Sequence, residues 1–349
     1  MGERDELVSY RVGDAGAQQQ EHRASATIPS TRVFAPANSI YCDLVLEEIA
    51  RNKRRSVIVI TLFVLVWLGI GVLLGAIFGG ASPGSAILTG AVVAAVFAAA
   101  AAAFALLSGT GLVLAVSGAH PADPTQYLQL HNIVEEMAIS AGLPKPAVYV
   151  IDDPSPNAFA TGISPNRAAI TATTGLLSIM HRDELEGVVS HEMSHIKNYD
   201  VRLILVVTTL IGFAALLASM LWRTAIFTRP RGRDGDQIML LVIAAGALLS
   251  VVAFLVGPLI QFALSRSREE LADVSGVELT RNPQGLIHAL QKLQQNDKPF
   301  ANFNHATAAM CIDDPLQHHA GRLHRLFDTH PPIGERIAIL EKITQGRAA

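Results

Sequence analysis

Between Ser56 and Ala119 the chain carries no Asp, Glu, Lys or Arg. A soluble domain, with about a quarter of its residues charged, does not sustain such a gap. The run is too long for one membrane span and suits two of about 20–25 residues. Gly, Ser and Pro in GGASPGSA (79–86) mark the turn between them. Cysteine is nearly absent. Cys42 and Cys311 cannot build a disulfide framework and have no metal-ligand spacing. Basic excess is also missing: a formal net charge of −3 offers no electrostatic footprint for nucleic acid. More than fifty residues precede the first apolar run, so no cleavable signal peptide is expected.

What is present is apolar: half of the 349 residues, concentrated in blocks. A second pair of uncharged runs, Leu203–Trp222 and Ile238–Phe262, follows the first. The pattern predicts four transmembrane helices in two hairpins, at 56–78, 86–117, 203–222 and 238–262, with a loop at 223–237. None of the four holds Asp, Glu, Lys, Arg or His in mid-membrane, which argues against a transporter. Residues 1–38 read as a disordered tail. SIYCDLVLEEIARNKRR (39–55) reads either as an amphipathic helix along the membrane surface or as a solvated lead-in to the first span. Two hairpins return the chain each time, so the tail, 118–200 and 265–349 share one side. Near the span ends that side carries Arg51, Lys53, Arg54, Arg55, Lys197, Arg202, Arg266 and Arg268. The opposite side carries Arg223, Arg229, Arg231 and Arg233. The bias places the polar parts in the cytosol of a plasma or inner membrane, although the basic loop TRPRGRDGD (228–236) pulls the other way.

VVSHEMSHIKNYD (188–200) carries the chemistry. On a helix, positions i and i+4 share a face, so His191 and His195 can reach one ion with Glu192 beside them. This is the HExxH arrangement: two imidazole ligands and a carboxylate that takes a proton from water. Acidic residues at Asp183 and Glu184 suit a first turn, and Leu185, Val188, Val189 and Met193 suit a buried face. Catalytic zinc needs a third protein ligand. SRSREELAD (265–273) offers Glu269, with Asp273 four residues on, placed to accept the free N–H of a ligating histidine. Span three starts just after His195, and span four ends just before Glu269. An antiparallel hairpin therefore brings the third ligand beside the first two.

PNAFATG (156–162), TTGLLS (173–178), DELEGVVSHEMSHIKNYD (183–200), SRSREELAD (265–273), RNPQGLIHALQKL (281–293) and THPPIGERIAIL (329–340) occur in an order that resembles the HtpX family of membrane-bound zinc metallopeptidases, more distantly the CaaX prenyl proteases. The likeness covers roughly 105–345. It implies a mainly α membrane protein whose cytosolic catalytic domain, 118–200 with 265–349, is a thermolysin-like α+β zincin with a small sheet. It also implies one Zn2+ per chain on His191, His195 and Glu269, with Glu192 as base. The tail is longer than the family's, and Glu270 stands where the family often has an aromatic.

PAVYVIDD (146–153) and PNRAAITATTG (165–175) read as short strands flanking PNAFATG. In zincin peptidases an edge strand pairs with the substrate backbone, and Asn157, Ala158 and Phe159 are the candidates for it. His330 or Arg336 would stabilise the oxyanion, or His330-Pro331-Pro332 merely positions the next helix. The expected activity is endopeptidase cleavage of polypeptides, chiefly damaged membrane proteins, by an enzyme embedded in the lipid bilayer. The competing reading is a non-catalytic four-span scaffold with a structural metal, which would need a fourth protein ligand.

Overall fold

The computed structural model describes residues 37–78, 82–227, 233–251, 266–296 and 331–347. The chain divides into two units, Met1–Cys42 and Asp43–Ala349, and all that follows concerns the second. Of the expected disordered tail, residues 1–36 lie outside the described residues, as does His330, while Ala37 and Asn38 open the first helix.

Two long helices come first, α1 (Ala37–Phe78) and α2 (Pro83–Val116). The lead-in and the first expected span are one continuous helix. Small residues set the α1–α2 approach: a Cβ on Gly71 would run into the Gly90 carbonyl, and one on Gly75 into that of Ala86. Such close contact substitutes for hydrophobic drive where the surroundings are themselves apolar. Trp67 is buried at the same seam, 4.5 Å from Phe97 between ring centroids. Outward, Leu62, Leu65, Leu73, Leu88, Val93 and Val96 are exposed. A contiguous apolar exterior of this extent marks a membrane surface.

The soluble part opens with β1 (His120–Pro121) and α3 (Leu128–Ala141), followed by β2 (Ala147–Ile151), β3 (Ala158–Gly162) and β4 (Ala168–Thr173). The sheet order is β1-β2-β4-β3, with β2 and β4 parallel and the other pairs antiparallel. Side chains alternate across it. Val148, Val150, Ala160, Ile170 and Ala172 join the main core with Ile133 and Val134 of α3. Ile151 and Phe159 point the other way, against Val113 of α2 and Leu205. One face of the sheet thus packs on the soluble core and the other on membrane helices.

After β4 come α4 (Thr174–Ile179), α5 (Arg182–Lys197), α6 (Asp200–Phe227) and α7 (Arg233–Val251). Three further helices, α8 (Arg266–Thr280), α9 (Pro283–Gln294) and α10 (Ile333–Arg347), complete the described chain. Among the described residues three helical stretches are long and apolar enough to cross a membrane: Ile49–Ala76, Pro83–Val116 and Asp200–Phe227. Of the expected fourth span, Val242–Val251 forms an apolar helix, and 252–262 fall outside the described residues.

Candidate metal centre

Helix α5 is clamped at its start. The His181 backbone N–H donates to Glu184 Oε2 at 2.6 Å, and Lys292 Nζ of α9 donates to the same oxygen at 2.6 Å. The helix packs on α3, α8 and α9, so its polar residues His191, Glu192 and His195 are buried. Buried polar groups need partners. Several of those partners come from α8, which approaches through Gly276: a Cβ there would lie 3.0 Å from the His191 backbone nitrogen. A larger residue there would be tight against the His191 backbone and would need α5 to give by a few tenths of an ångström.

One ligand atom each from His191, His195 and Glu269 falls within a 4.8 Å cluster. The two Nε2 atoms are 3.2 Å apart. Glu269 Oε2 lies 3.4 Å from His191 Nε2, and Oε1 lies 3.5 Å from His195 Nε2. Two ligands about 2.1 Å from one ion at the tetrahedral angle stand roughly 3.4 Å apart. The three residues therefore fit a shared tetrahedral ion. Charge agrees. Glu192, Glu269, Asp273 and Asp200 are four buried carboxylates, and Arg336 and Arg268 are the buried arginines beside them. A dication would balance that set.

Each imidazole donates its other N–H to a carboxylate. His191 Nδ1 lies 2.9 Å from Asp273 Oδ1, and His195 Nδ1 lies 3.0 Å from Asp200 Oδ2. Both Nε2 atoms are thereby turned toward the cluster, the support usual for metal-bound histidine. Asp273 was expected in this place; Asp200 was not. The signal was its position just past the helix, where Tyr199 takes a left-handed backbone (φ 61°) and turns the chain back. Asp200 is in turn held by Asn52 of α1, whose Nδ2 donates to Asp200 Oδ1 at 2.6 Å and to the Asn198 carbonyl at 3.0 Å. Lys53 lies over the Tyr199 ring, 4.2 Å from its centroid. Sequence reasoning missed Asn52 as well.

Arg336 is 1% exposed. It grips Asp273 with two parallel bonds, Nε to Oδ2 at 2.9 Å and Nη2 to Oδ1 at 2.7 Å, and Nη1 lies 3.7 Å from Glu269 Oε2. That fork is the strong form of the Arg–carboxylate pair. Burial opposes ionisation of Asp273, but the Arg336 charge and the His191 contact outweigh it and hold the carboxyl below its usual range. Burial and Arg336 also oppose protonation of His191, yet Asp273 and Glu269 carry its pKa up to about 9. Burial pushes the Glu192 carboxyl up, while the two imidazoles and the Ala160 N–H pull it back.

The Ala160 contact fixes strand β3 relative to the site. Asn157 accepts from the Thr173 N–H at 2.9 Å, and Phe159 is opposite Thr171. Pairing alternates along an antiparallel ladder, so Asn157, Phe159 and Thr161 bond inward to β4. Ala158 and Ala160 turn their main-chain groups outward, along the edge that pairs with no other strand among the described residues. Ala158 N–H meets Asn157 Oδ1 at 2.9 Å, and Ala160 N–H meets Glu192. Of the three expected strand residues, Ala158 lies on that outer edge, where it is buried. The Phe159 side chain is packed against α2 and α6.

Residues 124–344 match peptidase family M48. The chain belongs to that family. A protease HtpX homolog of Streptococcus thermophilus is 40% identical over 306 residues, covering 86% of this chain and all of the relative. One from Ligilactobacillus salivarius is 43% identical over 308 residues, covering 85% and 99%. The crystal structure of S. mikatae Ste24p is a looser likeness, 18% identical with a TM-score of 0.43, covering 84% of this chain and 67% of that one. This M48 peptidase is a membrane-bound metalloprotease. The expected family resemblance holds.

Proposed function

We propose that this peptidase cuts misfolded or damaged membrane proteins at the cytosolic face of the cell membrane, using one zinc ion. The observation that carries the reading is the buried His191–His195–Glu269 trio at 3.2–3.5 Å, with the Glu192 carboxylate and the outermost described strand beside it. Imidazole and carboxylate donors in a tetrahedral set favour zinc over harder cations. Zinc held there supplies a Lewis acid for the scissile carbonyl and lowers the pKa of water toward about 7.

Glu192 takes the proton of the attacking water and hands it to the leaving amine. Its burial serves the first half of that exchange, since a carboxylate raised above its ordinary range is a stronger base toward the water proton. The substrate backbone adds as a strand along Ala158 and Ala160, displacing the Asn157 amide and releasing Ala160 N–H from Glu192. Main-chain pairing reads little side-chain identity, so broad specificity follows. Arg336 acts as a positioning residue for Asp273, because its fork already grips that carboxylate. The oxyanion donor is then His330, or the ion alone. The cytosolic orientation rests on the Lys and Arg bias at the span ends. A structural metal would need a fourth protein ligand, and among the described residues the cluster has three.

Degradation of an unfolded protein by wild type and Glu192→Ala, with zinc quantified in each, tests this reading. The variant is expected to keep about one zinc per chain and to cut nothing. Equal cutting by both would remove Glu192 from the mechanism.

A further inference from the structure

The membrane-facing side of the sheet leaves a groove of about 440 Å³ against α2. One wall is apolar helix: Leu106, Leu107 and Leu114. The other is polar: Lys145, Tyr149 and Arg167. Gly162 (φ 150°) shapes the polar wall, because a Cβ there would lie 2.5 Å from the Arg167 carbonyl oxygen. The tight return it allows carries the segment 163–167 out over the groove. Arg167 is exposed and has no ion-pair partner among the described residues. Lys145 lies 2.9 Å from Glu135, with both side chains more than a third exposed. Such a pair is worth little and lets the ammonium swing.

The height of this groove is fixed by the α1–α2 register. Gly71 meets Gly90 and Gly75 meets Ala86, and in an antiparallel pair the total of such numbers is constant. Arg55 therefore comes level with Leu106. The basic run RNKRR (51–55) precedes the uncharged stretch, so that level is the boundary between hydrocarbon and headgroups. Helix α2 has 34 residues, about 51 Å of helix against roughly 30 Å of hydrocarbon, long enough to carry Leu106–Leu114 through that boundary. Leu107 is 71% exposed there, a cost in water and none against an acyl chain.

We propose that this groove is a binding site for one anionic phospholipid, its phosphate held by Arg167 and Lys145 and its chains lying along Leu106 and Leu107. The site rests on the bilayer surrounding α1 and α2. It does not rest on the catalytic reading, since Tyr149 and Ala169 lie on the sheet face turned away from α5.

The full chain in detergent is melted with added phosphatidylglycerol, phosphatidylcholine or inorganic phosphate. A ligand that binds the folded state raises the melting temperature by mass action. Phosphatidylglycerol is expected to do so at concentrations where the other two have no effect. Arg167→Gln combined with Lys145→Gln should weaken the response roughly fivefold for each cation removed. Hydrolysis of a soluble unfolded protein by Arg167→Gln should stay at the wild-type level, which separates failure here from failure of the peptidase reading. An equal response to phosphatidylcholine would make the groove ordinary lipid contact. An equal response to inorganic phosphate would make it a free-anion site. An undiminished response in the double variant would place the anion elsewhere. Each of these overturns the proposal. If the double variant does not fold, a photoreactive phosphatidylglycerol headgroup on the wild type decides: adducts at 163–169 support the site, and adducts only elsewhere refute it.

Discussion

The two imidazoles of the site are supported alike and anchored differently. His191 leans on Asp273, which the buried guanidinium of Arg336 grips from α10 in the soluble part. His195 leans on Asp200, which the neutral amide of Asn52 holds from α1, the first membrane helix. One support is a two-bond charge pair within the domain; the other is a hydrogen bond from a neutral amide on a helix 148 residues earlier, with Arg268 at a longer 3.8 Å. On the proposed ligand set, one of the three ligands therefore reports whether the membrane helix is in place.

Breaking the first support should cost most. Asp273→Ala removes the carboxylate that takes two hydrogen bonds from the buried Arg336, a loss of about 3–5 kcal/mol in stability, and frees the His191 ring to turn. Thermal melting and chelator competition should both fall sharply. Asp200→Ala should weaken metal binding by a similar factor, about 10–100-fold. Its stability cost should be smaller, about 1–3 kcal/mol, because it leaves behind the neutral Asn52 amide and an Arg268 contact that, at 3.8 Å, is too long for a hydrogen bond. If the two variants lose equal stability, the contrast between a charged and a neutral anchor is wrong. Asn52→Ala keeps Asp200 but removes a hydrogen bond to a charged group, about 1.5–3 kcal/mol. The discriminating readout is the visible spectrum of the cobalt-substituted enzyme, which should shift in Asn52→Ala and be unaltered in Lys53→Gln. That last variant loses only a cation–π contact, about 0.5–1 kcal/mol, and should leave chelator competition at the wild-type value.

The same contrast separates what the sequence disclosed from what it concealed. His191 and His195, like Glu269 and Asp273, sit four apart on helices, and periodicity alone places each pair on one face. Arg336 stood in view as a charged residue in THPPIGERI, but its role depends on a packing angle that no spacing encodes. Asp200 escaped because Tyr199 breaks the helical period immediately before it. Asn52 escaped because a polar residue in a basic lead-in reads as solvated until α6 is seen to bury it. Two of the strands were legible from their β-branched runs. That Ala158 and Ala160, rather than Phe159, present the outer edge follows only from register. The fourth span was read from hydropathy, and the described residues carry it only as far as Val251.

The small sheet is wedged between two worlds, with Ile151 and Phe159 turned toward Val113 and Leu205. A soluble version of the enzyme made by trimming away the membrane helices would strip that face bare. It would also drop Asn52 and the first residues after the metal helix. Such a fragment would carry every proposed ligand and still be a sticky, half-supported remnant. The practical unit for purification, inhibitor screening or redesign is the chain with its helices attached.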